Sequence, residues 1–473
     1  MFMRMVYDER LAQAAYIIGC QATGEAIVID PQRDVDQYIK LAEQHALKVI
    51  AAAETHIHAD FVSGVRELAE RVDAHVYVSA EGGPDWSSRW LDKRSNGKSY
   101  PHTLLHHNDT FSIGNIDFRI IHTPGHTPEH ICYQITDRGS GVSDPIGIAT
   151  GDFIFVGDLG RPDLLETAAG QSGVMQDAAR SLYRSANALA NIPDFVQVWP
   201  GHGAGSACGK ALGAIPTSTI GYERRFNAAL NAAKDESTFV DFILTGQPEP
   251  PLYFADMKRI NRDGPAVLGP NSVPPKQNAP DIAAIDTTTQ VILDARSWDN
   301  FKAAHVAGSL SFPIAQQSFC TDAGSMIREQ DTITIIADAN QIDEIVRCLE
   351  HIGRDNIRGW FDAADFDALE QAGTRISSIA EITPKQAAQR KDVSILDVRR
   401  ATEFAESHAP GAINFSHTRI ANHTDQIDPS KNWLVVCRSG ARSARSAVFL
   451  QRLGYNVTNV AGGMLAWNQL QQS

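Results

Sequence analysis

Short apolar runs, each ending in Gly, Pro or polar residues, recur along the chain and set its rhythm. Val49 to Ala53, Thr332 to Ile336 and Trp433 to Val436 are the right length for strands and too short for buried helices. After the last two come a loop, a helical run and a glycine, Gly353 and Gly454 respectively. Strands that are apolar on both faces and alternate with helices predict a parallel sheet covered on both sides. The pattern breaks at Asp263 to Pro280, DGPAVLGPNSVPPKQNAP, where five prolines and two glycines in 18 residues predict an extended linker. About 260 residues of β-rich runs and helical patterns precede it.

A repeat follows the linker. LDARSWDNFKAAHVAGSLSF begins at Leu293 and LDVRRATEFAESHAPGAINF at Leu396, an offset of 103 residues. Asp294 coincides with Asp397, Arg296 with Arg399, Phe301 with Phe404, His305 with His408 and Gly308 with Gly411, besides a shared Leu and Phe. The pattern predicts an α/β chain organised as residues 1–262, a linker at 263–280, and two small α/β domains at 281–378 and 379–473.

Composition narrows the setting. At 473 residues the chain is too long for one core, and roughly 150 residues per domain allows about three. With 43% hydrophobic and 21% charged residues it reads as a folded globular protein. The formal charge of -14 excludes the basic surface that a phosphate backbone requires, so nucleic acid is not an expected partner. No run of about 18 apolar residues and no signal-peptide layout occur, so no membrane association and a cytoplasmic setting are expected. Six scattered cysteines make no disulfide framework, but beside 16 histidines they direct attention to metal and thiol chemistry.

The first cluster follows the strand-like run at Val49: Glu54-Thr55-His56-Ile57-His58-Ala59-Asp60-Phe61. Two histidines at i and i+2, leaving a strand end, can face one side and converge on one cation. His122-Thr-Pro-Gly-His126-Thr, Thr150-Gly-Asp152 and Trp199-Pro-Gly-His202 come next, each beside Gly or Pro after an apolar run and so placed on sheet-edge loops. HxHxD, PGHT, TGD and PGH in this order resemble the metallo-β-lactamase superfamily over residues 1–262, which implies an αββα sandwich. That family usually reads HxHxDH, its final Asp-His pair helping to bind a second metal. Phe61 stands at the last position here, which argues against a two-metal hydrolase.

Two histidines and a carboxylate with open positions form the donor set of a non-haem Fe(II) oxygenase. The sequence resembles the persulfide dioxygenase branch of the superfamily. By that resemblance one Fe(II) per chain would be held by His56, His126 and Asp152, with His58 the nearest competitor or else a supporting residue. Asp60 and His202 would orient ligands or substrate. A persulfide sulfur is a soft ligand that can bind beside O₂ at iron, whereas redox-inert Zn²⁺ could occupy the same triad without activating O₂. Arg161, in Gly160-Arg-Pro-Asp, resembles a GRxD stretch of the same branch, with a scaffold or a substrate role. Cys208, six residues past His202 in a Gly/Ser-rich loop, is a candidate persulfide carrier or a small buried residue. Cys20, Cys132, Cys320 and Cys348 read as structural, and His102, His106 and His107 as loop residues.

The second candidate site follows Trp433 to Val436. Cys437-Arg438-Ser439-Gly440-Ala441-Arg442-Ser443 leads into a helical run, Ala444 to Leu453, closed by Gly454. A thiol between a strand end and a helix N-terminus meets backbone N–H groups and a dipole that stabilise its thiolate and a bound anion. Gly440 permits close approach, and Arg438 and Arg442 add positive charge. The tyrosine-phosphatase spacing Cys-x5-Arg is not met, because position 443 is Ser. The shorter loop, with Asp397, Arg399, His408-Ala-Pro-Gly411 and Gly462-Gly463-Met-Leu-Ala-Trp467, resembles the rhodaneses over 379–473. The first repeat reads Ala337-Asp338-Ala339-Asn340 at this place, without the thiol, and is expected to be catalytically silent.

The expected function is oxidation of a small-molecule thiol persulfide with O₂ to sulfite, coupled through Cys437 to sulfur transfer between persulfide, sulfite and thiosulfate in sulfide detoxification. A homo-oligomer, dimer or larger, is expected. Two rivals stay open: a two-zinc thioester hydrolase of the glyoxalase II type with an appended sulfurtransferase, and a persulfide carrier or sensor with a non-catalytic metal domain.

Overall fold

The strand Gln13–Cys20 is buried along its whole length, as a strand is only between two covering layers. Ala14, Tyr16 and Ile18 face a second sheet, where they meet Phe118, Ile120, Tyr133 and Trp199. Ala15 and Ile17, pointing the other way, pack with Tyr38, Val65 and Leu68 of the helices Asp36–Gln44 and Val65–Val72. The computed structural model describes residues 1–167, 173–270 and 272–472. In its first compact unit, Met1–Pro250 with Phe254–Asn271, two six-stranded sheets face each other through that shared core. The outer face of the second sheet carries Cys132, Ile148 and Val198 against Leu182, Phe239 and Ile243 of the helices Met175–Ala188 and Glu236–Leu244. Helix, sheet, sheet, helix is the layering expected for this half of the chain.

The strand expected at Val49 is Lys48–Ala53, and it delivers His56 and His58 beyond its C-terminal end. The strands Ile116–His122, Gly147–Gly151 and Gln197–Pro200 likewise end at the segments carrying His126, Asp152 and His202. Neighbouring strands therefore bring residues up to 146 positions apart to one edge of the sandwich.

The second unit, Pro251–Tyr253 with Ser272–Ser473, holds the repeat. Val291–Asp294 pairs in parallel with Leu310–Ser311 and Ile333–Ala337, and the latter with Ile357–Asp362. Ser394–Asp397 pairs in parallel with Ile413–Asn414 and Asn432–Val436, and the latter with Asn456–Val460. The two halves share strand order and sense, and a further short strand, Glu381–Ile382, extends the second. The coincident residues do scaffold work in both. Arg296 forks onto Asp294 and Arg399 onto Asp397, each with an Nη2–Oδ2 distance of 2.7 Å. His305 and His408 stack on Phe301 and Phe404 at 4.1 and 4.0 Å and bond their carbonyl oxygens through Nδ1. The helix after the thiol loop is Ala441–Arg452, three residues earlier than its apolar pattern predicts. Polar residues are tolerated in a first turn, whose N–H groups have no helical partner.

Among its described residues the proline-rich stretch has helix only at its two ends, in Phe254–Asp263 and Ala279–Ala283, yet it is tied down. Arg66 donates to Pro265 O at 2.7 Å, Arg33 to Ala266 O at 2.6 Å, and the Glu67 carboxylate accepts from Leu268 and Gly269 N–H at 2.9 and 2.8 Å. Gln277 N–H donates to Trp360 O, and Trp360 N–H to Pro275 O, extending a sheet edge of the second unit. The free connection is thus much shorter than the 18 residues that composition marks; Asn271 within it lies outside the described residues. Among the described residues no helix is long and apolar enough to cross a membrane.

Glu67→Ala removes two charge-assisted bonds worth roughly 1.5–3 kcal/mol each. Limited proteolysis of the variant should cut within residues 264–270 about tenfold faster or more than wild type, because cleavage follows the population of the opened segment. Unchanged cutting would mean that Arg33 and Arg66 suffice.

Candidate functional site

His56, His126 and Asp152 converge beyond the strand ends, all buried, with one ligand atom of each lying within 4.8 Å of the others. Their tautomers follow from their neighbours. Thr55 Oγ1–H donates to Asp30 Oδ2 at 2.9 Å, so His56 Nδ1–H must donate to Thr55 Oγ1, also at 2.9 Å, leaving Nε2 a bare lone pair. His126 Nδ1–H donates to Arg161 O at 2.9 Å, which again frees Nε2. Those nitrogens lie 4.0 and 3.5 Å from Asp152 Oδ2. His56 Nε2 and Asp152 Oδ2 are buried without a hydrogen-bond partner. Such orphaned atoms are costly unless something binds them, and here two neutral imidazoles and a carboxylate form a cation's donor set.

Electrostatics keeps these groups in ligand form. Burial, helped by neighbouring His58, holds His56 well below the usual histidine range, and burial lowers His126. Burial alone would raise Asp152, but the His202 charge and hydrogen bond outweigh it and hold the carboxyl well below its ordinary value. Gly160 brings the next loop hard against this site: a Cβ there would lie 1.7 Å from Asp152 O.

A second trio, Asp60, His202 and Cys208, adjoins the first and meets the same distance criterion. His202 bridges the groups through Nδ1 to Asp152 Oδ1 and Nε2 to Asp60 Oδ2, both at 2.7 Å. Burial disfavours its charge, but the two carboxylates overcome burial and raise His202 well above its usual range. Burial, then the charges of Asp60 and Asp152, push the Cys208 thiol up, so it stands as a neutral S–H. His58 turns away, its Nε2 on Asp30 Oδ1 at 3.1 Å and its ring 4.3 Å from that of Phe61. Arg161 fills a scaffold role: Nε and Nη2 fork onto Asp163 at 2.8 and 2.6 Å, and Nη1 donates to Ala207 O beside Cys208.

Several supporting residues escape a sequence reading. Asp30 orients Thr55 and His58 from the end of Glu25–Ile29. His130 Nε2 accepts the Asp152 N–H at 3.1 Å while Nδ1 meets Thr123 Oγ1, so neither nitrogen is free for a metal. Glu129, raised to about 7 by burial, accepts from Ile57 N–H between the two histidines of HxH. The carboxylate ending an apolar strand and the histidine four after His126 were the available signals.

In the second unit the Cys437 sulfur is buried and accepts from Gly440 N–H at 3.1 Å and Ser443 Oγ–H at 3.4 Å. Gly440 has φ +98°, and an added Cβ would crowd Gly462 N at 3.0 Å. Met464 N–H and Leu465 N–H bond the carbonyl oxygens of Cys437 and Arg438, so the GGMLAW segment braces the loop from behind. Arg438 and Ser439 are exposed at its mouth. Arg442 is not a free cation: its Nη1 and Nη2 fork onto Glu403 at 2.7 Å each. Neither Ser443 as a sulfur partner nor Glu403 as a counter-ion is marked by the loop motif. Cys20, Cys132, Cys320 and Cys348 are buried and unbridged.

Residues 8–202 match the metallo-beta-lactamase superfamily and 383–470 the rhodanese-like domain. A solved metallo-beta-lactamase from Staphylococcus aureus subsp. aureus COL is 39% identical, covering 76% of this chain and 98% of its own, with a TM-score of 0.67. A beta-lactamase hydrolase-like protein of Xylella fastidiosa (strain 9a5c) is 28% identical over 253 residues, 50% of this chain and 53% of that protein. Cytoplasmic hydroxyacylglutathione hydrolase of Arabidopsis thaliana is 30% identical over 191 residues, 40% of this chain and 62% of that enzyme. The chain thus spans about half to two thirds of the length of these two curated relatives. It belongs to the metallo-beta-lactamase superfamily and carries a rhodanese-like domain near its C-terminus.

Burial opposes ionisation of Glu403, but the Arg442 hydrogen bonds and charge lower its carboxyl from 4.5 to about 2. A depressed folded value contributes stability above the unfolded value and loses it as pH falls through the folded one. Glu403→Gln should therefore be less stable than wild type above pH 5, with the gap closing between about pH 4.5 and 2 in urea titrations. A gap independent of pH would show that Arg442 does not depend on this charge.

Proposed function

We propose that the first unit oxidises a low-molecular-weight thiol persulfide with O₂ at a single Fe(II), and that Cys437 transfers sulfane sulfur between persulfide, sulfite and thiosulfate. The observation that carries this reading is the buried trio of His56 Nε2, His126 Nε2 and Asp152 Oδ2, with Phe61 at the position beside Asp60. Fe(II), when bound, supplies the redox chemistry through which O₂ reacts with a persulfide sulfur. Thr55 and the Arg161 carbonyl fix the two imidazole tautomers, and His202 keeps Asp152 ionised. The overall change consumes RSSH, O₂ and H₂O and releases RSH, sulfite and two protons, the terminal sulfur losing the four electrons that O₂ gains. In the second unit the Cys437 thiolate attacks the sulfane sulfur of a persulfide and expels the thiol. Sulfite then attacks the outer sulfur of Cys–S–S⁻, releasing thiosulfate and the thiolate. Gly440 N–H and Ser443 Oγ–H, which meet the sulfur, are placed to stabilise the anion at each stage.

A second reading is favoured by one specific observation, the Asp60–His202–Cys208 trio, which offers donors for a second cation and so for a two-zinc thioester hydrolase.

Anaerobically prepared protein should hold one iron per chain and consume O₂ when given a thiol persulfide in an oxygen-electrode cell. His126→Ala should lose at least about a hundredfold of that uptake, as expected when a metal ligand is removed. Cys437→Ser should keep it while losing thiosulfate formation. Two zinc ions with no O₂ uptake would establish the hydrolase instead, and loss of uptake in Cys437→Ser would favour a sulfur carrier.

A further inference from the structure

The repeat without a thiol in its loop has no assigned task, but it sends one carboxylate into the packing of the helix that begins at the thiol loop. Asp322 lies on the helix Phe319–Met326 of the first repeat and is 1% exposed. Its Oδ2 meets Arg445 Nε of the second repeat at 2.7 Å, and its Oδ1 meets His417 Nε2 of the second repeat at 3.3 Å. Ser318 Oγ–H donates to Asp322 Oδ2 at 2.7 Å and accepts from Arg445 Nη2 at 3.3 Å. Arg445 and His417 are themselves 6% and 7% exposed. A carboxylate from one repeat thus holds a guanidinium and an imidazole from the other, all three out of water.

The helix Ala441–Arg452 connects this cluster to the chemistry. Its N-cap is Gly440, whose N–H meets the Cys437 sulfur, and Arg445 sits five residues further on, roughly 7.5 Å along the axis. Seven residues beyond Arg445, on the same face, Arg452 donates to Gly308 O and Gln290 O of the first repeat at 2.6 and 3.0 Å. The helix is pinned to the first repeat at two points, and the charged one lies nearer the sulfur.

Burying three polar groups costs desolvation that apolar packing would avoid, so such a cluster is weak evidence for stability. It does fix geometry, because the planar guanidinium is held at two points, its Nε against Asp322 Oδ2 and its Nη2 on Ser318 Oγ, which is itself bonded to that carboxylate. We infer that Asp322 is a positioning residue for sulfur transfer: the repeat whose loop lacks the thiol supplies the carboxylate that sets the helix N-terminus, and with it Gly440 N–H and Ser443 Oγ–H, against the Cys437 sulfur. The inference rests on the proposed role of Cys437. It gives the silent repeat a part in the reaction without any chemistry of its own.

Asp322→Asn in the full-length protein separates geometry from charge and from stability. Removing an anion from the neighbourhood of a thiolate should by itself make the thiol more acidic. A slackened N–H cradle does the reverse. We expect the pH midpoint of Cys437 alkylation by iodoacetamide to rise by about 0.5–1 unit, and sulfur transfer from thiosulfate to fall about tenfold in kcat/KM. Arg445→Lys, which keeps the charge and loses the two-point hold on Asp322 and Ser318, should shift both in the same direction. It also decides the matter if Asp322→Asn does not fold. A midpoint that falls or stays put, whatever happens to the melting temperature, overturns the inference. If wild type transfers no sulfur, the reading of Cys437 fails, while the alkylation midpoint still reports on the positioning by Asp322.

Discussion

The carboxylate of Asp152 is the point on which the first unit's site depends. A buried carboxylate is tolerable only when its charge is answered, and among the described residues it is His202 that answers it. His202, raised by its two flanking carboxylates, takes Oδ1; the backbone N–H meets His130; and Oδ2 is left facing two neutral imidazoles. The surrounding architecture keeps these distances. Tight glycines press the Gly160 and Gly201 segments against Asp152, Thr55 and Arg161 orient the two imidazoles, and Asp60 holds the far side of His202. Asp152, His202 and Asp60 thus form one hydrogen-bonded chain from the candidate metal position into the neighbouring trio.

The second unit shows how duplication separates scaffold from chemistry. Asp294–Arg296 and Asp397–Arg399, with their paired Phe–His stacks, occupy equivalent places in two sheets of the same strand order. The difference that bears on chemistry centres on the loop after one strand. By strand register Ala337 stands where Cys437 is, Asp338 stands exposed where Arg438 is, and Arg442 with its Glu403 counter-ion belongs to the second repeat. A sulfur anion needs a thiol, N–H donors, a helix N-terminus and nearby positive charge together, so an alanine in the place of Cys437 and an acid in the place of Arg438 leave the fold without the means for that chemistry.

Much of this was legible in the chain because its strands are buried on both faces. Apolar strand runs that give way to Gly, Pro, polar residues or a thiol marked His56, His126, Asp152, His202 and Cys437 as sheet-edge residues, and the structure places them there. What escaped was whatever acts across long separations. Asp30, Glu129 and His130 work by orienting others, and no local pattern marks an orienting residue. Arg442 reads as free charge until Glu403, 39 positions earlier, is placed beside it. The linker reads as loose from its prolines, while Arg33, Arg66 and Glu67 hold it from about 200 residues away. Asp322 carried no signal, because it answers charges that lie in the other repeat.

The central claim, one metal held by His56, His126 and Asp152, is tested most directly by crystals grown anaerobically from protein as isolated. Anomalous diffraction should be measured across the iron and zinc absorption edges. The account predicts a single peak, at the iron edge, within bonding distance of His56 Nε2, His126 Nε2 and Asp152 Oδ2. A second peak among Asp60, His202 and Cys208, or a peak at the zinc edge alone, would contradict it.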